Sequence, residues 1–115
     1  MIILKIQGGL GNQMFQYAAG RDLAISLNTE IKLDISSYQN DVKREYELKH
    51  FSIEDIHASQ SEIAAWAMPD ILHDRYRKRI LWYLPFFYPK HFREKENDLD
   101  SRFFKIKNNC YVEGY

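Results

Sequence analysis

The chain opens on a run of apolar residues, Ile2-Ile3-Leu4-Lys5-Ile6, that stops at Gln7-Gly8-Gly9. A short, nearly continuous apolar run bounded by glycines is the pattern of a buried strand in a parallel sheet. From Gln13 to about Leu27 the composition turns helical, with Asn12 as candidate N-cap and Asn28 as candidate C′ residue. On a helical wheel Met14, Ala18 and Ile25 share one face, Phe15 and Ala19 widen it, and Leu23 and Leu27 lie opposite. That distribution predicts a helix covered on more than one side. Glu30-Ile31-Lys32-Leu33-Asp34-Ile35 then alternates with period two, as a second strand does. Strand, helix and strand in succession make a βαβ unit, and such units wind into parallel sheets.

Beyond a polar stretch from Ser36 to Lys49, Ser59 and Glu62 have the spacing of a capping box ahead of Ile63-Ala64-Ala65-Trp66. Pro69 predicts the start of a further helix that runs to about Tyr83, and Pro85 and Pro89 break the chain again. Phe103-Phe104-Lys105-Ile106 and Tyr111-Val112-Glu113 flank Asn108-Asn109 and predict a weak hairpin or strand pair. No repeat and no flexible linker interrupts the 115 residues, a length that suits one domain.

Composition narrows the functional classes. Sixteen basic residues balance sixteen acidic ones, so no global field draws the chain to nucleic acid or to an anionic surface. The apolar fraction of 45% supports a packed core. A single cysteine, Cys110, forms no intrachain disulfide and fits a reducing compartment, where it acts as a small hydrophobe. The apolar start is too short for a signal-peptide core, and no window approaches the roughly 20 apolar residues of a membrane span. His50, His57 and His73 lack paired ligand spacing, so no metal site is expected.

The candidate chemistry lies in the loop after the first strand. A helix N-terminus offers unpaired amide donors and the positive end of the helix dipole to an anion. Glycines ahead of it let the backbone approach a ligand with no Cβ in the way. Gly9 and Gly11 supply that approach, and the amides of Asn12 and Gln13 add donors for phosphate or sugar oxygens. These four residues are the candidate donor-binding set. The segment Gly9-Leu10-Gly11-Asn12-Gln13-Met14 carries two of the three glycines of a dinucleotide fingerprint, with Met14 at the third position and Asp34 where a ribose-binding acid would stand. No Gly-Lys-Ser/Thr follows, which excludes a P-loop. Glycines alone leave a tight βα connection and a ligand loop equally open.

The full string from Gln7 to Ala18, Gln-Gly-Gly-Leu-Gly-Asn-Gln-Met-Phe-Gln-Tyr-Ala, closely resembles the opening of the α-1,2-fucosyltransferases of glycosyltransferase family 11. Leu33-Asp34-Ile35, Tyr46-Glu47-Leu48 with Phe51, and Tyr111-Val112-Glu113-Gly114-Tyr115 are similar to later landmarks of that family in the same order. The resemblance implies a Rossmann-like amino-terminal domain of a GT-B enzyme, α/β with a parallel sheet flanked by helices. It implies inverting, metal-free transfer of L-fucose from GDP-fucose to the 2-hydroxyl of a terminal galactose, in an oligosaccharide or glycolipid acceptor. It also implies that the loop at Gly9, Gly11, Asn12 and Gln13 lies against GDP-fucose, in a cytoplasmic protein. The family's later H-x-R-R-x-D motif does not occur, so residues 1–115 are expected to be an incomplete amino-terminal portion, inactive alone. His91-Phe92-Arg93 imitates the start of that motif but precedes the Tyr111–Tyr115 landmark. No catalytic residue can be named.

Two alternatives stay open: another nucleotide-binding α/β enzyme, and a non-catalytic module acting at a membrane surface. The second rests on residues 75–93, where six basic residues and seven aromatics stand without an acid. That mixture suits a membrane interface or glycolipid, or simple packing of the aromatics with the charges in water.

Overall fold

The computed structural model describes residues 1–66, 91–93 and 103–114. It is an α/β fold. The elements are strand β1 (Ile2–Lys5), helix α1 (Leu10–Ser26), strand β2 (Ile31–Asp34), helix α2 (Gln60–Trp66), strand β3 (His91–Arg93) and strand β4 (Cys110–Glu113). The four strands form one all-parallel sheet in the order β2-β1-β4-β3. This arrangement is compatible with a Rossmann-like domain. The helix expected from Pro69 to Tyr83 and residues 75–90 of the basic aromatic segment lie outside the described residues.

Side-chain alternation divides the sheet into two unlike faces. Ile2, Leu4, Ile31, Leu33, Cys110 and Val112 join Leu23 and Ala24 of α1 in one core cluster. Tyr46 and Leu48 belong to that cluster too, so the polar stretch from Ser36 to Lys49 gives the core two side chains. Phe92 of β3 packs against the cluster and meets Phe103 edge-on, with ring centroids 5.9 Å apart.

Three expectations are corrected. The hairpin expected around Asn108-Asn109 does not form: Phe103–Lys105 is a 3₁₀ turn, and Tyr111 to Glu113 lies in β4, parallel to both β1 and β3. Long-range pairing with the apolar β1 outweighs the local turn. Cys110 therefore starts a central strand and is buried. The N-cap of α1 is Gly9, with no side-chain cap, so Asn12 stands inside the first turn. Finally, among the described residues α1 is covered mainly along one face. Its buried residues are Gln13, Gln16, Gly20, Leu23 and Ala24, while Met14, Phe15 and Ile25 are exposed.

Gly20 explains which side of α1 faces the sheet. A Cβ there would stand 2.6 Å from Leu4 Cδ2 and 3.3 Å from Ile31 Cδ1. Only a residue without a side chain lets the helix lie this close to β1 and β2. Gly20→Val should therefore force the helix off the sheet and lower stability by about 2 kcal/mol, read as a reduced denaturation midpoint. An unchanged midpoint would contradict the close packing.

Two local predictions hold. Asn28 takes the left-handed conformation at φ 48° just past the helix end. Ser59 and Glu62 form the capping box, the Ser59 amide donating to Glu62 Oε2 at 2.8 Å and the Glu62 amide to Ser59 Oγ at 3.3 Å.

Candidate functional site

The glycine loop leaves the sheet at β1, one of its two central strands. From β1 the chain passes through α1 to its neighbour β2, while β1's other neighbour is β4, the last strand. Open parallel sheets bind ligands outside the carboxyl ends of their strands. At this place β1 runs out into Gln7-Gly8-Gly9 and β4 into Gly114.

Gly8 makes the turn from strand to helix possible. Its φ is +84°, and an added Cβ would stand 2.7 Å from Asn12 Nδ2, so conformation and contact both demand glycine. The Asn12 side chain thus folds back over the loop. Gly9 and Gly11 differ from Gly8: a Cβ on either meets nothing within 4 Å. They face open space at the start of α1. The first intrahelical bond there runs from the Gln13 amide to the Gly9 carbonyl at 3.1 Å, so the amides of Leu10, Gly11 and Asn12 precede the helix's own ladder. No acid stands in the first turn. The helix thus presents its positive end with neither a side-chain cap nor a compensating charge.

Gln13 has another place. Its side chain is fully buried, and its amide is committed to the backbone. Nε2 donates to the Gly8 carbonyl at 3.1 Å and to the Glu45 carbonyl at 2.8 Å, while Oε1 accepts from the Glu47 amide at 2.9 Å. Gln16, one turn on and also buried, accepts from the Gln7 amide at 3.0 Å and donates to the Gly114 carbonyl at 2.9 Å. Tyr38, from the turn after β2, donates its hydroxyl to the Gly8 carbonyl at 2.9 Å. Burial, with Asp41 nearby, pushes that phenol up to about 12, so it remains a donor at neutral pH. The structure therefore brings Gly9, Gly11 and Asn12 together on the surface and sets Gln13 beneath them as a brace.

Gln16 and Tyr38 were not singled out from the sequence. A signal for Gln16 was present: extending the stripe of Gly20, Leu23, Ala24 and Leu27 backwards by helical spacing reaches Gln16 and Gln13. No comparable signal marks Tyr38, which reaches Gly8 only through the fold.

The sheet face away from α1 carries charge. By register, Asp34, Lys5, Glu113 and Arg93 form a row across the ends of the four strands. Lys5 Nζ lies 2.9 Å from Glu113 Oε1, Arg93 Nη2 3.7 Å from the same oxygen, and His91 Nε2 3.3 Å from Glu113 Oε2. Asp34 is buried and accepts from the Tyr111 hydroxyl at 2.6 Å and the Ser36 amide at 2.8 Å. Both of its oxygens are thus engaged within the protein, away from the ribose-binding role considered for it.

Desolvation pushes the Glu113 carboxyl up, but the hydrogen bonds from His91 and Lys5 and the charges of Lys5 and Arg93 outweigh it and hold the group down at about 2. A depressed carboxylate stabilises the fold above its unfolded value of 4.5 and loses that contribution as pH falls towards about 2. The contribution is on the order of 2 kcal/mol after discounting for solvent screening. Urea melts between pH 6 and 3 should show this loss in the parent chain and a flatter profile in Glu113→Gln. Parallel profiles would remove Glu113 from the acid response.

Among the described residues no group of three or more His, Cys, Asp or Glu is placed to hold a metal ion, and no helix is long and apolar enough to cross a membrane.

Fold and loop together define an α/β protein with a helix N-terminus that lacks a side-chain cap at the carboxyl end of a central strand. No family model matches the chain, and no solved structure matches it. Forty of its residues are 45% identical to an α-1,2-colitosyltransferase of Escherichia coli, a stretch that makes up 35% of this chain and 14% of that protein. The match is thus to a short stretch of a glycosyltransferase.

Proposed function

We propose that the chain carries the donor-facing loop of a galactoside α-1,2-glycosyltransferase of GT-B type, which moves L-fucose from GDP-fucose to the 2-hydroxyl of galactose in a surface glycan. The observation that carries the reading is the glycine N-cap of α1, open to solvent at the carboxyl end of the central strands and free of acids in its first turn. In this reading the diphosphate lies across Gly9 and Gly11, where backbone amides meet the charge that grows as the sugar leaves. Asn12 offers its side-chain amide to the donor, and Gln13 acts by holding the loop. The acceptor hydroxyl must lose its proton in the same step, and no residue is assigned to that role. The proposal includes inversion at the sugar without a metal. It includes a cytoplasmic location, with contact to the inner membrane face or a glycolipid through residues 75–93.

The similarity to a colitosyltransferase favours a second donor. Colitose is L-fucose without its 3-hydroxyl, so the same loop serves either sugar and the difference lies in contacts to that one position. A dinucleotide-binding role is less well supported, because Met14 stands at the third glycine position and Asp34 is engaged by Tyr111 and Ser36.

Titration of the labelled chain with GDP-fucose, followed by amide shifts, tests the reading. Shifts are expected to cluster at Gly8 to Asn12, with weaker effects from NAD. Shifts scattered elsewhere, or an equal response to NAD, would count against a nucleotide-sugar loop.

A further inference from the structure

Two glutamines occupy the inner face of α1 where an apolar side chain would satisfy packing. Gln13 is 0% exposed and Gln16 4%. A buried amide destabilises a fold unless its hydrogen bonds are replaced, so its position is informative. The two amides reach different things. Gln13 holds the glycine loop to the segment at Glu45 and Glu47. Gln16 reaches past the ends of both central strands: its oxygen takes the amide of Gln7, just beyond β1, and its nitrogen takes the carbonyl of Gly114, just beyond β4.

Gln7 and Gly114 follow adjacent strands, but neither belongs to the ladder between them, which pairs Ile2, Ile3 and Leu4 with Cys110, Tyr111 and Val112. Past the ladder the Lys5–Glu113 ion pair joins the two segments on the far face of the sheet, and Gln16 joins them on the α1 face. On that face the amide of one side chain, fixed on a rigid helix, sets their separation. Its geometry is two-sided: the amide oxygen accepts from an N–H while the amide nitrogen donates to a carbonyl. The exits of the two central strands are therefore held from beneath by a residue that is itself buried.

We propose that Gln16 is a positioning residue for the glycine loop, tying the exit of β1 to the exit of β4 so that the amides of Gly9 to Asn12 are held in the geometry that receives a nucleoside diphosphate. This rests on the reading of that loop as the donor site.

The test uses the whole chain with GDP as probe and three variants. Gln16→Met keeps length and burial but removes both bonds. Gln16→Glu keeps the acceptor for Gln7 and loses the donor to Gly114. Ala24→Gly lies on the same buried helix face two turns away and serves as a control for simple destabilisation. Gln16→Met is expected to weaken GDP binding at least tenfold and to speed hydrogen exchange at the Gln7 amide at least tenfold, with exchange at Leu4 unchanged. Gln16→Glu is expected to keep Gln7 protected yet still bind GDP several-fold more weakly. Ala24→Gly is expected to lower the melting temperature with GDP affinity within twofold of the parent. If Gln16→Met loses no more affinity than Ala24→Gly, or keeps Gln7 protected, the inference is overturned while the donor-loop reading stands. If the parent chain itself does not bind GDP, the donor-loop reading fails, and the inference falls with it.

Discussion

Gln13→Leu should be among the most damaging single substitutions in the amino-terminal half of this protein. Leucine matches the volume of the buried site but makes none of the three hydrogen bonds of the Gln13 amide. The Gly8 carbonyl would keep the Tyr38 hydroxyl as a donor. The Glu45 carbonyl and Glu47 amide would lose the partner that fastens their segment to α1. An unsatisfied buried group costs about 1–3 kcal/mol, and because these two hydrogen bonds are only partly buried the pair should cost roughly 2 kcal/mol in all. Against a domain stability of about 5–15 kcal/mol that is a large fraction, and the melting temperature should drop by about 10 °C or more. Tyr46 and Leu48, which flank the tie and belong to the core, should lose their order with it. Faster exchange at the Glu47 amide would identify the mechanism. A melt within a degree or two of the parent would show that water replaces the glutamine at no cost, and the brace would have to be abandoned.

Gly11→Val should do the opposite, sparing the fold and removing ligand binding. A Cβ at this position meets nothing within 4 Å, so the protein has room for the larger residue. Glycine and valine differ by only a few tenths of a kcal/mol as helix residues, in valine's favour. Stability should therefore stay within about 0.5 kcal/mol of the parent. The branched side chain would fill the space in which a diphosphate has to approach the first-turn amides. GDP-fucose affinity should fall at least tenfold, a loss of about 1.4 kcal/mol or more. Calorimetric titration alongside a thermal melt separates the two effects. An unaltered affinity in a folded Gly11→Val chain would mean the ligand does not pass over this glycine, and the donor site would have to be sought elsewhere.

Local signals survived into the fold where they were self-contained. The apolar run at Ile2 to Ile6 becomes β1 because it is buried on both sides, and burial on both sides is what a continuous apolar run encodes. Asn28 ends the helix in a left-handed turn and Ser59 pairs with Glu62, because both devices are completed within a few residues. The glycine loop was legible for the same reason, and it stands between strand and helix as its composition requires.

What the sequence alone could not decide was everything that depends on a distant partner. The residues between Phe103 and Glu113 show turn chemistry and short apolar runs, which suit a hairpin. The tertiary structure instead pairs Tyr111 with Ile3, more than one hundred positions away, because the ladder with β1 buries both strands. The covered side of α1 was equally hidden. Hydrophobicity pointed to Met14 and Ile25, yet Gly20 is where the helix can approach Leu4, and that contact turns Gln13 and Gln16 inward. Their amides then supply partners to backbone groups of the loop and of neighbouring segments at partly buried positions. Sequence alone determined that a glycine loop joins a buried strand to a helix. Only the tertiary structure decided that two glutamines on that helix hold the loop in place, because a hydrogen bond across the fold leaves no periodic trace in the chain.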